Sequence, residues 1–549
     1  MILVYGIALD LGTSGFRAQL IDLESKETIK TAITMRHPLP GGNVMDHLDF
    51  AIQVGEEIAH EIILDTIKEI INLFDIDNSK IERLAVCGNP IQLSLFQNIE
   101  IRDLAYAGES KQKKLGVQNI TRDARVFKAN ELFKDILDLP NCTVIVPPAI
   151  KHEIGADALA MMIKTDFADQ TAPAIVTDYG TNAEMALKVG DKIITGSAAA
   201  GPAIEGQGIS CGMLASPGAI SDVNVEGDYW RITILDKDMV PQKAHLIDPI
   251  SGEIIEESDL VAKGVTGTGV VSALAVAMKY GVCSNTSCCF GQIPELPDGK
   301  LTLAKDVVIT TKDIEEAGKA IGAIRAAHLT LLVEAGVPYK DLEYVYMSGA
   351  TGTYVDAEKA RRLGSCPNFA KNIVQFGNTS LALARELVLD KSKLDVVIAI
   401  AHKIKADHIM MATSDIFSKF YLCELSYWTQ GMPMEVYNQM LEMYNLPTLP
   451  EICESVVIEK RVSKDIDDVG KEGLSILDDI GITIEEHARD CILCHKCEAE
   501  CPEDAIKIVE KGSVRYANYN SERCLGTSCH RCVAACPVNA IHYLDIYIK

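Results

Sequence analysis

Residues 1–400 alternate short apolar runs with segments in which apolar positions recur at helical spacing. Runs rich in β-branched residues predict strands, and apolar positions three and four apart predict amphipathic helices. The predicted strands are 2–10, 17–23, 82–87, 143–146, 173–178, 183–189, 192–195 and 343–348. The predicted helices are 49–74, 154–165, 311–335, 355–363 and 379–389. Strands that alternate with helices indicate an α/β fold built of layered sheets and helices.

The pattern changes after residue 400. Aromatic residues and methionines are dense in FSKFYLCELSYW (417–428) and MPMEVYNQMLEMYNLP (432–447), and a charged stretch follows at 458–473. Such a methionine-rich stretch is more typical of helix packing than of a cofactor site. We therefore divide the chain into four predicted segments: 1–170, 171–400, a connecting region at 401–485, and a small C-terminal domain at 486–549.

Two segments of the α/β part repeat each other at an offset of 168 residues. GIALDLGTSGFRAQL (6–20) and AIVTDYGTNAEMAL (174–187) each place D-x-G-T between two apolar strands. One interpretation is a pair of unrelated β-hairpins with glycine turns. The other is a pair of phosphate-binding hairpins, because glycine lets the backbone approach a phosphate and backbone N–H groups and a threonine hydroxyl can donate to it. The aspartate can hold the accompanying Mg²⁺ through water.

Two later segments fit a nucleotide site. Residues 343–352 (EYVYMSGATG) lead a strand through a glycine turn into a helix, where backbone can lie against an adenine ring. Residues 146–160 (VPPAIKHEIGADALA) lead a strand into a helix that carries small residues. These small residues predict a close approach of two helices near a hinge.

Composition and charge exclude several classes of function. The chain has 549 residues and a formal net charge of −25, so it lacks the positive surface that binding to nucleic acid requires. No run approaches the roughly 18 apolar residues of a membrane span. The opening MILVYGIALDLG lacks the basic region and cleavage site of a signal peptide. We therefore expect a cytoplasmic protein, in which cysteine usually serves metal or redox chemistry.

Eight of the 17 cysteines lie in the last 59 residues and form two runs. The first run, Cys491, Cys494, Cys497 and Cys501, reads C-x2-C-x2-C-x3-C-P, which is the pattern that holds a 4Fe–4S cluster in bacterial ferredoxins. The second run, Cys524, Cys529, Cys532 and Cys536, reads C-x4-C-x2-C-x3-C-P. Its last three cysteines follow those of the first run by 35 residues, whereas Cys524 follows Cys491 by only 33 because two residues are inserted after Cys524.

In two-cluster ferredoxins the fourth cysteine of each run binds the opposite cluster. This predicts one 4Fe–4S cluster on Cys491, Cys494, Cys497 and Cys536, and a second on Cys524, Cys529, Cys532 and Cys501. Two zinc sites with four cysteines each are the alternative, although zinc does not require the paired C-P repeat. The other nine cysteines are scattered, and we expect them to be inert, including the closely spaced Cys283, Cys288 and Cys289.

The motifs resemble those of a known superfamily. The order DLGT (10–13), DYGT (178–181) and MSGATG (347–352) is similar to that of the actin, hexokinase and heat-shock-chaperone ATPases, where these are two phosphate motifs and an adenosine motif. Segments 201–220, 265–275 and 310–324 further resemble the ATP-dependent reductive activases of corrinoid proteins. A two-cluster ferredoxin at the C-terminus is similar to the members that serve methylamine methyltransferases in methanogens.

The resemblance implies a fold and a set of site residues. The fold would be an actin-like ATPase of two ribonuclease-H-like subdomains, with a mainly helical connecting region and a small α+β ferredoxin-like domain. The residues expected around the phosphates and Mg²⁺ of ATP are Asp10, Gly12, Thr13, Asp178, Gly180 and Thr181. The residues expected against the adenosine are Ser348, Gly349 and Gly352, with Ala350 in place of a second glycine. Glu153 and Asp157 are the two candidates for the residue that activates water.

The implied activity is the reduction of inactive Co(II) in a methylamine corrinoid protein to Co(I), with electrons from a low-potential donor. We expect ATP binding or hydrolysis to change the grip on the corrinoid protein, so that cobalt becomes easier to reduce. One alternative is ATP-driven electron transfer to another acceptor, as in activators of 2-hydroxyacyl-CoA dehydratases. Another is a small-molecule kinase with a redox-sensing tail, and a third is a redox or scaffold module without catalysis.

Overall fold

The structure is a computed structural model of the chain. It describes residues 3–106, 109–117, 120–149, 154–180, 182–201, 203, 206, 208–213, 215–280, 300–404, 406–462, 465–544 and 546–548. Strands and helices are numbered in chain order.

The strands extend from Tyr5 near the N-terminus to Ile548 near the C-terminus. They are β1 (Tyr5–Leu11), β2 (Phe16–Asp22), β3 (Thr28–Thr34), β4 (Ile81–Gly88), β5 (Arg125–Lys128), β6 (Thr143–Val146), β7 (Ala174–Asp178), β8 (Asn182–Val189), β9 (Lys192–Ala199), β10 (Ala219–Glu226), β11 (Tyr229–Leu235), β12 (Pro241–Ile247), β13 (Ile254–Glu256), β14 (Gly264–Val265), β15 (Lys300–Ala304), β16 (Val307–Thr310), β17 (Tyr344–Ser348), β18 (Asn372–Gln375), β19 (Ala406–Ile409), β20 (Val457–Lys460), β21 (Leu474–Leu477), β22 (Thr483–His487), β23 (Ile506–Lys511), β24 (Val514–Asn520) and β25 (Tyr547–Ile548).

The α-helices lie between these strands. They are α1 (Val44–Val54), α2 (Glu56–Asn72), α3 (Pro90–Phe96), α4 (Arg102–Ala105), α5 (Glu109–Lys114), α6 (Ala129–Phe133), α7 (Ala156–Lys164), α8 (Gly267–Tyr280), α9 (Thr311–Glu334), α10 (Gly349–Tyr354), α11 (Ala357–Leu363), α12 (Thr379–Leu389), α13 (Lys393–Lys403), α14 (Asp415–Gln430), α15 (Met434–Met443), α16 (Lys496–Glu500) and α17 (Arg531–Ala535).

The chain forms two compact units that are interleaved along the sequence. The first unit comprises Met1–Leu159, Ser380–Lys403 and Asp468–Lys549, and the second comprises Ala160–Thr379 and Ile404–Asp467. The segment after residue 400 is therefore shared between the two units, and the cysteine-rich C-terminus belongs to the first.

The first unit is built on a mixed sheet with the strand order β21-β3-β2-β1-β4-β6-β5. Strands β1, β2 and β3 pair antiparallel, and β1 pairs parallel with β4. Strand β1 is almost wholly buried, which explains its continuous apolar sequence, because a central strand is covered on both faces. The phosphate hairpin predicted at residues 10–13 is the turn between β1 and β2.

The second unit repeats this arrangement in the order β19-β9-β8-β7-β17-β18-β20. Strands β7, β8 and β9 pair antiparallel, and β7 pairs parallel with β17. The sequence repeat at an offset of 168 residues is thus a repeat of the whole hairpin within two sheets of the same topology. This confirms the predicted fold class, an α/β chain with two ribonuclease-H-like subdomains.

Further elements of the second unit build a large core. Strands β13, β12, β11, β10 and β14 form a separate sheet, and helix α9 is buried along most of its length. Two glycines let α14 approach α9 closely, since a Cβ on Gly318 or Gly322 would lie 2.7 Å from Trp428 or Glu424. Arg325 of α9 forms a buried ion pair with Glu424, whose oxygens lie 2.6 and 2.7 Å from the guanidinium nitrogens.

The cysteine-rich part folds as a small sheet with two short helices. The strand order is β23-β24-β22-β25, and helices α16 and α17 contain the third cysteine of each run. This is the α+β arrangement expected of a ferredoxin-like domain.

The predicted strands of the α/β part are confirmed with small shifts at their ends, and three predictions of helices differ from the structure. The predicted helix 154–165 is the shorter α7, which begins at Ala156. The predicted helix 49–74 is two helices, because the chain turns at Gly55 with a φ of 107° that other residues rarely adopt. The predicted helix 355–363 begins at Ala357, where Asp356 caps it. None of the described helices is long and apolar enough to span a membrane.

Candidate functional site

The first phosphate hairpin is a tight turn held by the sheet. Asp10 lies near the end of β1 and is 6% exposed. In the register of the antiparallel pair it lies opposite Arg17 of β2. A Cβ on Gly12 would lie 2.9 Å from the carbonyl oxygen of Gly15, so the turn has room only for glycine. The Thr13 hydroxyl accepts a hydrogen bond from the side-chain nitrogen of Asn89 at 3.2 Å. The hairpin therefore presents its backbone and Thr13 in a fixed position.

A second carboxylate, Asp157, lies beside Asp10. It stands in the first turn of α7, where one of its oxygens accepts a hydrogen bond from the Ala158 backbone at 2.7 Å. Burial raises the pKa of Asp157 to about 6, and the negative charge of Asp10 contributes to the rise. A pKa close to neutrality suits a group that takes up a proton during catalysis. Glu153, the other candidate predicted from the sequence, lies outside the described residues.

Gly155, one of the small residues that predicted a close approach of two helices, and Cys87 both lie next to Asp157. A Cβ on Gly155 would lie 2.6 Å from the Pro90 ring and 2.7 Å from a carboxylate oxygen of Asp157. Glycine thus lets α7 approach α3. Cys87, at the end of β4, is buried, and its pKa is raised well above the usual value by burial and then by Asp10 and Asp157. Its thiol therefore stays protonated next to the two carboxylates.

The second phosphate hairpin lies against the predicted adenosine motif. Strands β7 and β17 are parallel neighbours, with Asp178 opposite Ser348. Gly349 has a φ of 82°, and a Cβ on it would lie 2.3 Å from a carboxylate oxygen of Asp178. Gly180 follows in the turn, and Thr181 lies outside the described residues. The structure thus brings together Asp178 and Gly349, which are far apart in the sequence.

The adenosine motif is packed closely behind this hairpin. The Tyr179 backbone N–H donates to the Ser348 carbonyl at 3.0 Å, and the buried Ser348 hydroxyl donates to the Thr177 carbonyl at 3.4 Å. A Cβ on Gly352 would lie 3.2 Å from the Met347 carbonyl carbon. The Ser348 side chain therefore joins β7 to β17, and any side chain at position 349 would meet the Asp178 carboxylate.

The cysteines of the first predicted cluster come together from both runs. Cys491 lies in a small buried apolar cluster with Ala488 and Ala540, and Cys536 packs against that cluster. Burial raises the pKa of Cys497 to about 11, and Cys491 contributes to the rise. Cys494 is exposed. The structure thus places the last cysteine of the second run near the first cysteine of the first run.

The cysteines of the second predicted cluster line one pocket. Cys501, Cys524, Cys529 and Cys532 line it together with Tyr519 and Tyr543. Burial raises the pKa of Cys532 to about 12, and the three other cysteines add to this rise. The last cysteine of the first run therefore lies with the first three of the second run.

The backbone around the two runs repeats at the same offset as the sequence. His495 and His530, which are 35 residues apart, both adopt left-handed backbone with φ of 53° and 48°. The Ala505 N–H donates to the Cys501 sulfur at 3.2 Å, and the Ala540 N–H donates to the Cys536 sulfur at the same distance. Such hydrogen bonds to sulfur stabilise a thiolate that binds iron.

These two groups of thiols suit clusters. Burial raises the pKa of the Cys497, Cys524 and Cys532 thiols, and a bound metal supplies the positive charge that makes such thiolates favourable. Among the described side chains, no three His, Cys, Asp or Glu residues converge on a single metal ion. Four cysteines line one pocket, and four thiolates, one at each iron, are the ligands of a 4Fe–4S cluster.

Four of the remaining cysteines show the signs of structural residues. Burial raises the pKa of Cys142 and Cys366 to about 12 and that of Cys211 and Cys423 to about 11. Cys283, Cys288 and Cys289 lie outside the described residues.

Asn89 is a site residue that the sequence prediction missed. It caps α3 by accepting a hydrogen bond from the Gln92 backbone at 2.9 Å, while its side-chain nitrogen holds Thr13. The Asn89-Pro90 pair is a typical start of a helix and could have indicated the cap. The contact with Thr13 could not be predicted, because it joins residues that are 76 positions apart.

Family models match almost the whole chain. The middle region of RACo matches residues 5–170, and the C-terminal domain of RACo, described as the ASKHA domain, matches residues 172–438. A 4Fe–4S dicluster domain matches residues 490–540, which favours clusters over the zinc alternative. The chain therefore has an actin-like ATPase fold and a 4Fe–4S ferredoxin domain.

Two similar proteins have names that state an activity. A "[Co(II) methylated amine-specific corrinoid protein] reductase" of Methanosarcina barkeri is 68% identical over 525 residues, which cover 96% of each chain. The "corrinoid activation enzyme RamQ" of Eubacterium limosum is 28% identical over 434 residues, which cover 76% of this chain and 70% of that protein.

A solved structure supports the fold. The chain resembles a "reductive activator for corrinoid, iron-sulfur protein" with a TM-score of 0.61 and 24% identity, over 77% of this chain and 66% of that one. With the identity and coverage of the Methanosarcina barkeri relative, these findings show that the chain belongs to the family of corrinoid-protein reductive activases.

Proposed function

We propose that this protein is an ATP-dependent reductase that returns the Co(II) form of a corrinoid protein to Co(I). The observation that carries the proposal is the 68% identity, over 96% of both chains, to a reductase of the corrinoid proteins of methylated amines. An ATPase fold and a 4Fe–4S domain in one chain are the two parts that such a reaction needs, since the electron must be delivered and the reduction made favourable.

The two hairpins serve as phosphate-binding elements in this proposal. Asp10, Gly12 and Thr13 act in the first unit, and Asp178, Gly180 and Thr181 act in the second. Ser348, Gly349 and Gly352 form the adenosine motif. The support is the geometry of the two units. In each unit an aspartate lies at or near the end of a central strand, and a glycine close by has no room for a Cβ. The aspartates are suited to hold Mg²⁺ with the nucleotide.

Asp157 is our candidate for the residue that accepts a proton from the attacking water. It is buried beside Asp10, and burial raises its pKa to about 6, so it is ionised and basic at neutral pH. Glu153 remains the second candidate from the sequence. Mg²⁺ held by Asp10 would lie near Asp157, and its positive charge would favour the ionised form of that carboxylate.

The C-terminal domain, residues 486–549, is proposed to carry two 4Fe–4S clusters. Cys491, Cys494, Cys497 and Cys536 would hold one, and Cys501, Cys524, Cys529 and Cys532 the other. When bound, such clusters supply and accept single electrons at low potential. The chain's own contribution is to bury Cys491 and Cys497, to shield all the other thiols but Cys494 in part, and to donate backbone hydrogen bonds to Cys501 and Cys536.

The proposed partners follow from the same relatives. The acceptor is a corrinoid protein of methylamine metabolism, and the electron source is a low-potential donor. We place the protein in the cytoplasm in this proposal, because a reducing compartment suits both cysteine-bound clusters and a reaction at low potential.

Anaerobic visible spectroscopy tests this function. The protein is mixed with a Co(II) corrinoid protein and a chemical reductant, with ATP or with ADP, and the absorbance of Co(I) is recorded. We expect Co(I) to form with ATP and not with ADP. Reduction at equal rates with either nucleotide would contradict the proposal, as would an ATP-dependent phosphorylated product without cobalt reduction, which is what a small-molecule kinase would give.

A further inference from the structure

The second cysteine run contains an insertion that breaks the ferredoxin repeat. Cys524 and Cys529 are separated by four residues, whereas the matching cysteines of the first run are separated by two. The inserted segment forms a short 3₁₀ turn over Gly526–Ser528. A simple ferredoxin repeat does not need this turn, so its contacts are informative.

The inserted turn contacts the N-terminal part of the same unit. Its partner is the loop of residues 36–47, which we call the docking loop and which leads from β3 into α1. The Gly41 N–H donates to the Cys524 carbonyl at 2.9 Å, and the Thr527 hydroxyl donates to an Asp46 carboxylate oxygen at 3.2 Å. A Cβ on Gly526, whose φ is 66°, would lie 3.1 Å from the Gly41 Cα. The two glycines thus permit a backbone-to-backbone contact at a cluster ligand.

An ion pair adds a second contact between the docking loop and the residues that line the pocket. Arg36 of the docking loop lies 2.7 Å from Glu503, which lines the pocket two residues after Cys501. The docking loop therefore touches the chain beside two of the four proposed ligands of the second cluster.

Buried side chains connect the docking loop to helix α3. The imidazoles of His37 and His47 stack with their centroids 3.9 Å apart. The Gln92 side chain, which is fully buried, joins both: its oxygen accepts from His37 Nε2 at 3.0 Å, and its nitrogen donates to His47 Nδ1 at 2.8 Å. The Leu39 N–H donates to His37 Nδ1 at 3.1 Å, which fixes the neutral tautomer of His37 and with it the orientation of the Gln92 amide.

Helix α3 leads from Gln92 to the phosphate hairpin. The Gln92 backbone donates to the Asn89 side chain, and Asn89 in turn donates to the Thr13 hydroxyl. A second connection runs through β3, since the Phe16 N–H donates to the Thr34 hydroxyl at 2.8 Å and that hydroxyl donates to the Arg36 carbonyl at 2.8 Å. Hydrogen bonds, the two stacked imidazoles and the backbone of the docking loop therefore connect the phosphate hairpin to Cys524.

We propose that the inserted turn couples the first phosphate hairpin to the second cluster, so that nucleotide binding changes the reduction potential of that cluster. Gln92, Asn89 and the docking loop are positioning residues in this proposal, which rests on the proposed function. Linkage requires the reverse effect as well: reduction of the second cluster changes the affinity for nucleotide by the same factor. The first cysteine run carries no such insertion, so the first cluster is expected to respond less.

The test uses the full chain with its clusters and no corrinoid protein. Reductive titrations followed by electron paramagnetic resonance are run without nucleotide and with a non-hydrolysable ATP analogue and Mg²⁺. We expect the analogue to change the ratio of reduced to oxidised second cluster about tenfold at a fixed potential, which is within the usual range of coupling between sites. For one electron, a tenfold change in this ratio corresponds to a shift of about 59 mV in the reduction potential. The affinity for a fluorescent ATP analogue, measured with oxidised and reduced protein, should change by the same factor.

Two substitutions on one helix separate coupling from general damage. Gln92→Leu removes the amide between the two imidazoles, whereas Gln97→Leu makes the same change at the end of α3, outside that network. We expect Gln92→Leu to keep both cluster signals and its nucleotide binding while losing most of the shift. Gln97→Leu should keep the shift. Thr527→Val, which removes the hydroxyl that donates to Asp46, should reduce it.

The outcomes distinguish this inference from the proposed function. Nucleotide binding without any change in either cluster, an equal shift in both clusters, or a full shift in Gln92→Leu would each overturn the coupling and leave the reductase activity standing. Failure of the chain to bind nucleotide would overturn the coupling and the proposed function together.

Discussion

Asp157 is the residue whose surroundings differ clearly from those of an ordinary surface carboxylate. It is buried, its neighbour Asp10 also carries a negative charge, and the helix start supplies one backbone hydrogen bond. Burial and like charge oppose ionisation, and the hydrogen bond favours it. The balance raises the pKa to about 6, so the group is ionised at neutral pH yet still able to take up a proton.

Asp157→Asn should lower the rate of ATP hydrolysis by about 100-fold or more, the usual contribution of a general base. Asparagine carries no charge to bury, so we expect no loss of thermal stability at pH 7. In the wild-type protein the rate should fall about tenfold per pH unit below about pH 6, because the protonated carboxyl cannot accept a proton. A phosphate-release assay across pH checks both effects. An unchanged rate in the variant would transfer the role to another residue, with Glu153 the next to test.

Gly349→Ala should damage nucleotide binding through Asp178. The new methyl group would lie 2.3 Å from the carboxylate oxygen, which must then move away from its position at the end of β7. The matched control is Gly336→Ala, at a φ of 67° with nothing within 4 Å of the added Cβ. Both changes cost about 1–2 kcal/mol for left-handed backbone, but only Gly349→Ala should weaken ATP affinity, by about tenfold or more. Equal affinities in a fluorescent-nucleotide titration would show that this contact does not matter.

At the scale of elements, the sequence predicts the central strands well. Strands β1 and β7 are buried on both faces, so their apolar runs are continuous and their ends vary by only a few residues. Strands β20 and β21 were not predicted, because each has only four residues and all four residues of β20 are solvent-exposed. Each is placed by pairing with a distant strand, β18 or β3, and no local pattern records such a pairing.

Crossed ligation is the prediction that belongs to the C-terminal domain. Cys501→Ser should leave the same electron paramagnetic resonance spectrum as Cys529→Ser, since both would disturb the second cluster. Cys536→Ser should match Cys494→Ser for the first. The physical reason is the pocket that gathers Cys501 with the second run. A match of Cys501→Ser with Cys494→Ser would show that each run holds its own cluster.

The packing of α14 on α9 depends on a buried ion pair. The Glu424 carboxylate accepts from Arg325 and from the Tyr437 hydroxyl, and its side chain is not exposed. Glu424→Gln leaves the Arg325 charge buried without its partner, so it should reduce the free energy of unfolding by about 3–5 kcal/mol. The same change at the solvent-exposed Glu442 of α15 should cost less than about 0.5 kcal/mol. Urea unfolding compares them, and equal midpoints would contradict this account.

At the scale of the whole molecule, the sequence indicated both chemical parts but not their connection. The hairpins and cysteine runs are local motifs with fixed spacing, so they could be found without a structure. The contact of Thr527 with Asp46 joins residues 481 positions apart, and only the folded chain brings them together. The inserted residues after Cys524 were visible as an irregularity of the repeat, and the structure gives them a partner.

The central claim is that ATP hydrolysis and electron transfer act together within one chain on a Co(II) corrinoid protein. A mixture of two inactive variants tests it most directly: Asp157→Asn, which keeps the clusters, and Cys524→Ser, which keeps the nucleotide residues. Co(I) formation is followed by anaerobic visible spectroscopy with ATP and reductant, and the wild-type chain is the reference. We expect rapid Co(I) formation by the wild type and almost none by the mixture. Recovery of the wild-type rate by the mixture would contradict the account, because the two parts would then act in separate chains.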